Sequence, residues 1–407
     1  PPSTISAPPP HLLDPVLDAP WAASAEMERE IQDWIVTFQV RSSSAFRESL
    51  TRMGQYRQTV ESELDRLELP PSLIFLPIVE SWYSPRAVSR VGAAGLWQFM
   101  APTARGMGLT VTGLVDERRD PFLSTPHALE YLAELRGRFG SWFLALAAYN
   151  GGPGRLERVL RRRAPGRPGS DGLFLEIRGD LPRETQRFIP KFLAAGRIAR
   201  NPEAYGFGDV REDPTLEYDE VRVPDATSLD VVAEAAGVPL SRIEALNPQL
   251  PRGLTPAGVS TPVRIPAGRA PGFAERFALI PPDERVTFVE HPVARGETLT
   301  HIARWYGVTV SDLRAANPRV QPRRLQIGQK LIVPKAPSER DRLRAGSTTG
   351  EAGGERFLLY RVQSGDTLSG IAERHGVSVR DLLRWNGLSG GAVIYPGDEV
   401  RVFISGL

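Results

Sequence analysis

Residues 70–104 read PPSLIFLPIVESWYSPRAVSRVGAAGLWQFMAPTA, and one acid, Glu80, stands in that apolar text. It lies among Leu76, Ile78, Val79 and Trp82, at the end of an apolar helix that Pro77 is expected to kink. Apolar and aromatic surroundings disfavour an ionised carboxylate, so its pKa is expected to rise and keep the group protonated near neutral pH. A glutamate at a helix end is more often a solvated cap, and the pattern by itself leaves both readings open. Gly92 and Gly95 permit a sharp turn that carries Leu96-Trp97-Gln98-Phe99-Met100 across the acid.

Outward from this stretch, residues 26–205 read as one all-helical domain. Ile31, Trp34, Ile35 and Phe38 recur at helical spacing, as do Phe46, Leu50, Met53 and Val60. Leu129, Leu132 and Leu135 mark a helix expected to open at Thr125-Pro126, since proline is tolerated in a first turn. The run Trp142 to Tyr149 reads as a buried helix stopped by Gly151-Gly152. Pro182 opens another helix, running through Phe188 and Phe192. Residues 1–25, rich in Pro, Ala and Ser, are expected to be a disordered leader.

Composition excludes several functions. The chain has no cysteine, hence no disulfide framework or thiolate metal site, and its histidines (His11, His127, His291, His301, His375) lack ligand spacing. No metal and no cofactor is expected. Fifty basic residues against 48 acidic ones argue against a dedicated nucleic-acid binder. Lysine occurs only at 191, 330 and 335. Arg155, Arg158, Arg161, Arg162 and Arg163 cluster on one predicted helix and read as its solvated end rather than a phosphate or membrane contact. Apolar stretches fall far short of the roughly 20 residues of a membrane span. The opening PPSTISAPPP carries no signal core, which leads us to expect a trimmed form whose export signal is out of view.

The second half repeats. HPVARGETLTHIARWYGVTVSDLRAANP, from His291, superimposes without a gap on YRVQSGDTLSGIAERHGVSVRDLLRWNG, from Tyr360. A weaker copy carries Leu229, Val232, Gly237, Val238, Ile243 and Asn247, with the Gly-Glu-Thr turn replaced by Ala226-Thr227-Ser228. The expected division is a degenerate module at 215–268, a linker at 269–288, a module at 289–335, a flexible linker at 336–356 and a module at 357–405. Each copy reads strand, turn, two short helices, strand. This βααβ text resembles the LysM family, which binds N-acetylglucosamine polymers such as peptidoglycan and chitin. The resemblance implies glycan contacts at Gly296, Glu297, Thr298 and Leu299 with Asn317 and Pro318. In the last copy it implies Gly365, Asp366, Thr367 and Leu368 with Asn386, Gly387 and Leu388. For Gly296 and Gly365 turn shaping alone is a sufficient reason.

Four blocks of the first half stand in order: IVESWYSPRAVSRVGAAGLWQFMAPTA, DERRDPFLSTPHALEYL, LALAAYNGGPGRL and LPRETQRFIPKFLA. Together they resemble the lysozyme-like lytic transglycosylases, of the membrane-bound lytic murein transglycosylase D type. The expected fold class is therefore multidomain α+β, a mainly α-helical lysozyme-like domain followed by βααβ LysM modules. The resemblance implies that Glu80 is the catalytic acid, and that Ser89, Gln98 and Met100 line the sugar subsites. It likewise implies that Tyr149 and Asn150 face the substrate and that Glu184 lies near the cleft floor. One position departs from the family's E-T-x-x-Y block: Phe188 replaces the tyrosine, so any hydrogen bond from that hydroxyl is absent.

Ordinary glycosidases use two carboxylates. The next acids after Glu80, namely Asp116, Glu117 and Asp120, read as loop and helix-capping residues. The family's reaction needs one: Glu80 protonates the bond between N-acetylmuramic acid and N-acetylglucosamine, then takes the proton of the muramic C6 hydroxyl, giving a 1,6-anhydro end. A hydrolytic muramidase of the same fold and a non-cutting wall-binding scaffold are the alternatives. All three imply peptidoglycan strands as partner and an envelope location, periplasmic in a Gram-negative cell, with a lipid anchor conceivable. Nothing suggests more than a monomer.

Overall fold

The computed structural model describes residues 13–20, 24–306, 308–317, 320–322, 324–334, 348–352, 355–362, 366–374, 377–386, 388 and 399–403. The chain divides into two compact units, Pro1–Leu279 and Ile280–Leu407. No helix among the described residues is long and apolar enough to cross a membrane.

Among the described residues, the first unit opens with nine α-helices around one core: α1 (Ala25–Val36), α2 (Ser43–Arg66), α3 (Leu76–Ser81), α4 (Ala101–Gly106), α5 (Pro121–Phe139), α6 (Trp142–Gly151), α7 (Pro153–Arg163), α8 (Asp171–Ile177) and α9 (Arg183–Arg200). Helix α6 is apolar on every side and Trp142 through Ala148 are all buried, which makes it the central rod of the bundle. Gly152, at φ +89°, ends it, and Pro153 starts α7 at once.

Two expectations about proline are corrected. Pro77 does not kink a helix; it sits in the first turn of α3, where its missing N–H has no intrahelical partner to lose. Helix α5 starts at Asp120-Pro121, not at Thr125-Pro126. The Asp120 carboxylate accepts from the N–H groups of Phe122 and Leu123, a cap that Thr125 does not supply.

Part of the expected leader is also ordered. Val16, Leu17 and Ala19 are buried in the core. Asp14 accepts hydrogen bonds from the N–H groups of Val16 and Leu17 and from the N–H and hydroxyl of Ser72. Arg200 on α9 pairs with Asp18 at 2.9 Å. Three apolar residues and two bonded acids hold this segment, features that the Pro/Ala-rich composition around them hides.

The unit closes with the degenerate module. Strands Tyr218–Val223 and Thr261–Pro266 pair antiparallel, with Val221 opposite Val263, and enclose helices Leu229–Ala236 and Leu240–Leu246. The expected linker from residue 269 is corrected: Phe273–Ala278 is a helix, and Phe273 and Phe277 are buried with rings stacked at 5.8 Å. An apolar pair spaced four apart was hidden among Pro, Gly and charged residues. The module docks on the helical body. The Arg264 guanidinium meets the Asp120 carboxylate at 2.5 Å and lies 4.8 Å from the Phe122 ring and 5.1 Å from Tyr218. Burial pushes the Asp120 carboxyl above its ordinary range, and Arg264 opposes that push.

In the second unit, strands Phe288–Pro292 and Lys330–Pro334 pair antiparallel and enclose helices Leu299–Tyr306 and Val310–Ala316. The last module pairs Glu355–Arg361 with Glu399–Phe403 and encloses Leu368–Arg374 and Val379–Trp385. Thr348–Ala352, expected within the flexible linker, forms a strand against Glu355–Arg361. Residues 336–347 and 353–354 of that linker lie outside the described residues.

Candidate active site

One cleft of about 770 Å³ collects the residues expected to face a substrate: Glu80, Ser89, Gln98, Met100, Tyr149, Asn150 and Glu184 all line it. They come from α3, the loop that follows it, the end of α6 and the start of α9.

Glu80 is delivered by a strained helix end. After one and a half turns α3 stops at Trp82 and Tyr83, which have φ +54° and +56° although neither is glycine. Several bonds hold this conformation. Arg52 donates to the Trp82 carbonyl at 2.7 Å, and the Tyr83 hydroxyl donates to the Ile74 carbonyl at 2.8 Å. Ser81 donates to the Leu96 carbonyl at 2.7 Å, tying α3 to the loop across the cleft. Strain that is held in place so firmly is common where a side chain must be aimed.

The loop itself is a small frame. Gly92 and Gly95 have φ +85° and +84°, as the sharp turn requires. A Cβ on Gly95 would also fall 1.7 Å from the Arg118 carbonyl oxygen. The buried Arg118 donates to the carbonyls of Gly92 and Phe99 at 2.8 and 2.9 Å and pairs with Asp116 at 2.8 Å. The acids after Glu80 are thereby structural: Asp116 holds Arg118, Glu117 accepts from the Thr110 N–H, and Asp120 caps α5. None of the three lines the cleft.

Within the frame, Ser89 closes a turn, its hydroxyl accepting from the Ala93 N–H at 3.0 Å. Gln98, at φ +52°, donates to the Gly95 carbonyl at 2.9 Å. Met100 is 41% exposed at the rim. On the opposite side the Tyr149 hydroxyl donates to the Trp97 carbonyl at 2.7 Å, and Asn150 accepts from the Thr185 hydroxyl at 2.9 Å. Phe188 packs in the wall, buried.

The electrostatics single out Glu80. Its half-buried carboxyl has no hydrogen-bond or ion-pair partner among the described residues, and burial pushes its pKa up to about 7. Lys191 pulls it back and Glu184 adds to the rise. Burial in turn holds the Lys191 ammonium below its ordinary value, against the pull of Glu80 and Glu184. Lys191 donates to the carbonyl of Val79, the residue before Glu80, at 2.7 Å. Burial, and then the charge of Glu80, push the Tyr149 phenol well above its ordinary range.

Among the lining residues not found by sequence reasoning, Trp34, Tyr131, Arg187 and Lys191 bring aromatic rings or charge to the cleft. A signal existed for two. Positions 184, 187, 188 and 191 share one helical face, and Lys191 is the first lysine of an arginine-rich chain.

The expected glycan contacts of the second unit divide differently. Asn317 donates to the Leu313 and Ile332 carbonyls and accepts from the Ile332 N–H. Asn386 makes the same three bonds with Leu382 and Arg401, and Asn247 makes them with Ile243 and Arg264. The recurrent asparagine is thus a clamp between second helix and closing strand, and neither Asn317 nor Asn386 offers a free amide donor. The two side chains therefore shape the loop after the second helix, and any glycan contact of these segments would fall to other atoms of the loop. Leu299 and Leu368 belong to the module cores. Thr298 and Thr367 accept from the N–H groups of His301 and Gly370, at the helix starts. Gly296, at φ +85°, shapes its turn. Glu297 accepts from the Ala294 N–H and His291, which hold its carboxyl below the usual range. Asp366 accepts from the Tyr360 hydroxyl at 2.6 Å, and Leu388 donates its N–H to the Leu383 carbonyl at 2.9 Å. Pro318, Gly365 and Gly387 lie outside the described residues. In the degenerate module Thr227 and Ser228 are buried at the turn.

Residues 59–167 match the transglycosylase SLT domain. Residues 291–334 and 360–403 match the LysM domain, and residues 217–281 the LysM-like domain of lytic transglycosylase MltD. Membrane-bound lytic murein transglycosylase D of Escherichia coli K12 is 32% identical over 378 residues, covering 90% of this chain and 80% of that protein. The autolysin of Enterococcus faecalis is 40% identical over 119 residues, 28% of this chain and 15% of that protein. Among solved structures, the 70 kDa soluble lytic transglycosylase Slt70 of Escherichia coli is 28% identical with a TM-score of 0.31, over 38% of this chain and 25% of that one. The chain is a lytic transglycosylase, a lyase acting on peptidoglycan, and it belongs to the membrane-bound lytic murein transglycosylase D family.

Proposed function

We propose that Glu80 serves as acid and then as base in a cleavage of the MurNAc-β-1,4-GlcNAc bond that consumes no water. One observation carries this reading: the Glu80 carboxyl lining the cleft has no hydrogen-bond or ion-pair partner among the described residues and has its pKa pushed up to about 7. A group titrating near the working pH can both give and take a proton. In the first half, Glu80 protonates the glycosidic oxygen as the C1–O bond breaks, and the 2-acetamido oxygen of the muramic residue stabilises C1. In the second half, the Glu80 carboxylate takes the proton of the C6 hydroxyl while O6 bonds to C1. A 1,6-anhydro end results and Glu80 is protonated again.

The neighbours fit these roles. Tyr149 and Gln98 are fixed by backbone bonds on either side of the cleft and present polar edges to the sugar. Ser89, Met100 and Asn150 complete the subsites, and Glu184 stands exposed at the first turn of α9. The LysM modules hold the enzyme on glycan strands, which raises its effective concentration on the wall. This substrate sets the location in the cell envelope, the periplasm of a Gram-negative cell.

The test is mass spectrometry of soluble products released from purified sacculi by the wild type and by Glu80→Gln. Anhydromuropeptides from the wild type and none from the variant are expected. Reducing-end products would instead make the enzyme a muramidase and point to Glu184 as its base.

A further inference from the structure

Helix α9 carries arginines with different fates. Arg197 pairs with Glu28 at 2.7 Å and Arg200 with Asp18 at 2.9 Å. Arg187 lines the cleft, is exposed, and has no carboxylate within ion-pair distance among the described residues. Its guanidinium carbon lies 5.1 Å from the centroid of the Trp34 ring. Trp34 is itself held, with Phe38 at 5.7 Å and the Lys191 ammonium 5.8 Å from its ring centroid. A planar guanidinium resting on a fixed aromatic face is pre-organised, and its N–H groups remain available for a ligand.

The matching ligand is a carboxylate, which two parallel N–H donors of one guanidinium grip together. The sugar rings of the proposed substrate offer hydroxyl and acetamido groups, all neutral. Its anions are carboxylates on the muramic residue: those of the stem peptide, or that of the lactyl group once the peptide has been removed.

We propose that Arg187, stacked on Trp34, is a specificity-determining residue that receives a carboxylate borne by the muramic residue. In an intact wall that carboxylate belongs to the stem peptide, because the lactyl group is tied up in an amide. The inference rests on the reading of this cleft as the glycan site. The enzyme on this view reads, beside the scissile bond, whether and how a strand is substituted.

The experiment measures kcat/KM of the full chain and of Arg187→Met and Arg187→Lys on two substrates. One is uncross-linked peptide-bearing strands; the other is the same strands after amidase removal of the peptides. Arg187→Met is expected to lower kcat/KM on peptide-bearing strands by about tenfold or more, charge-assisted paired bonds being the strong class. Stripped strands are expected to change little. Arg187→Lys is expected to fall between, since an ammonium keeps the charge but loses the fork. A loss confined to stripped strands would assign the same site to the lactyl carboxylate. An equal change on both substrates, including no change, would overturn the proposal. The readout is a ratio between substrates, so it does not depend on whether the released ends are anhydro or reducing. If Glu80→Gln stayed fully active on both, the reading of the cleft would fail instead.

Discussion

A carboxyl held at about 7 rather than 4.5 must weaken the fold that holds it, and Glu80→Gln measures by how much. Below pH 4.5 the group is protonated in both folded and unfolded chains and contributes no difference. As pH rises from 4.5 to about 7, the unfolded chain ionises while the folded one does not, so stability present at low pH is progressively lost. The full shift corresponds to about 3 kcal/mol against the native state. Glutamine carries no titrating proton. Relative to the wild type, the variant is therefore expected to gain about 3 kcal/mol between the bottom of this window and about pH 8. Any packing or hydrogen-bond effect of the amide is the same at every pH, so the slope isolates the ionisation. Urea unfolding of the full chain at several pH values, followed by the aromatic signal of the helical unit, reads it directly. A stability difference that does not change with pH would refute the argument that burial dominates this site. The same titration belongs in catalysis: wild-type kcat/KM should descend as pH rises through about 7, where the acid is lost.

Lys191→Met removes the cation that pulls the Glu80 carboxyl down, so the descending limb of kcat/KM should move to higher pH, while Lys191→Arg should leave it near its place; a limb that stays put in both denies Lys191 a role in tuning the acid. Arg264→Met strands the buried Asp120 and should cost about 3–5 kcal/mol of unfolding free energy, largely recovered when Asp120→Asn is added. A double-mutant coupling near zero would show that the contact does not hold the degenerate module to the helical body. Deleting residues 289–407 should weaken binding to sacculi more than turnover of short soluble fragments, and equal loss of both would deny the division between holding and cutting.

What could be read in the sequence was local, and what could not depended on partners far along the chain. Glu80 stood out because Leu76, Ile78, Val79 and Trp82 around it are apolar or aromatic, and Gly92 and Gly95 because a sharp turn demands their backbone freedom. The repeat spacing showed three copies of one module, and Asn247, Asn317 and Asn386 recur in it. Spacing alone did not show that this asparagine clamps the second helix to the closing strand; the hydrogen bonds do. The start of α5 was misjudged because two prolines compete for it, and only the capping bonds of Asp120 decide between them.

The cleft's cations were missed for a related reason. Trp34 meets Arg187 and Lys191 across more than 150 residues of sequence, and a periodic pattern names the face of a helix but not what covers it. This matters chemically, because the acid's strength is set by opposed terms from different parts of the chain. The apolar text around Glu80 supplies the desolvation, and that much was legible. Lys191 and Glu184, brought in by α9, set where between the two extremes the carboxyl settles. The proposed acid is thus found in thirty-five contiguous positions, while the groups that adjust its pKa come from a helix that begins about a hundred residues after it.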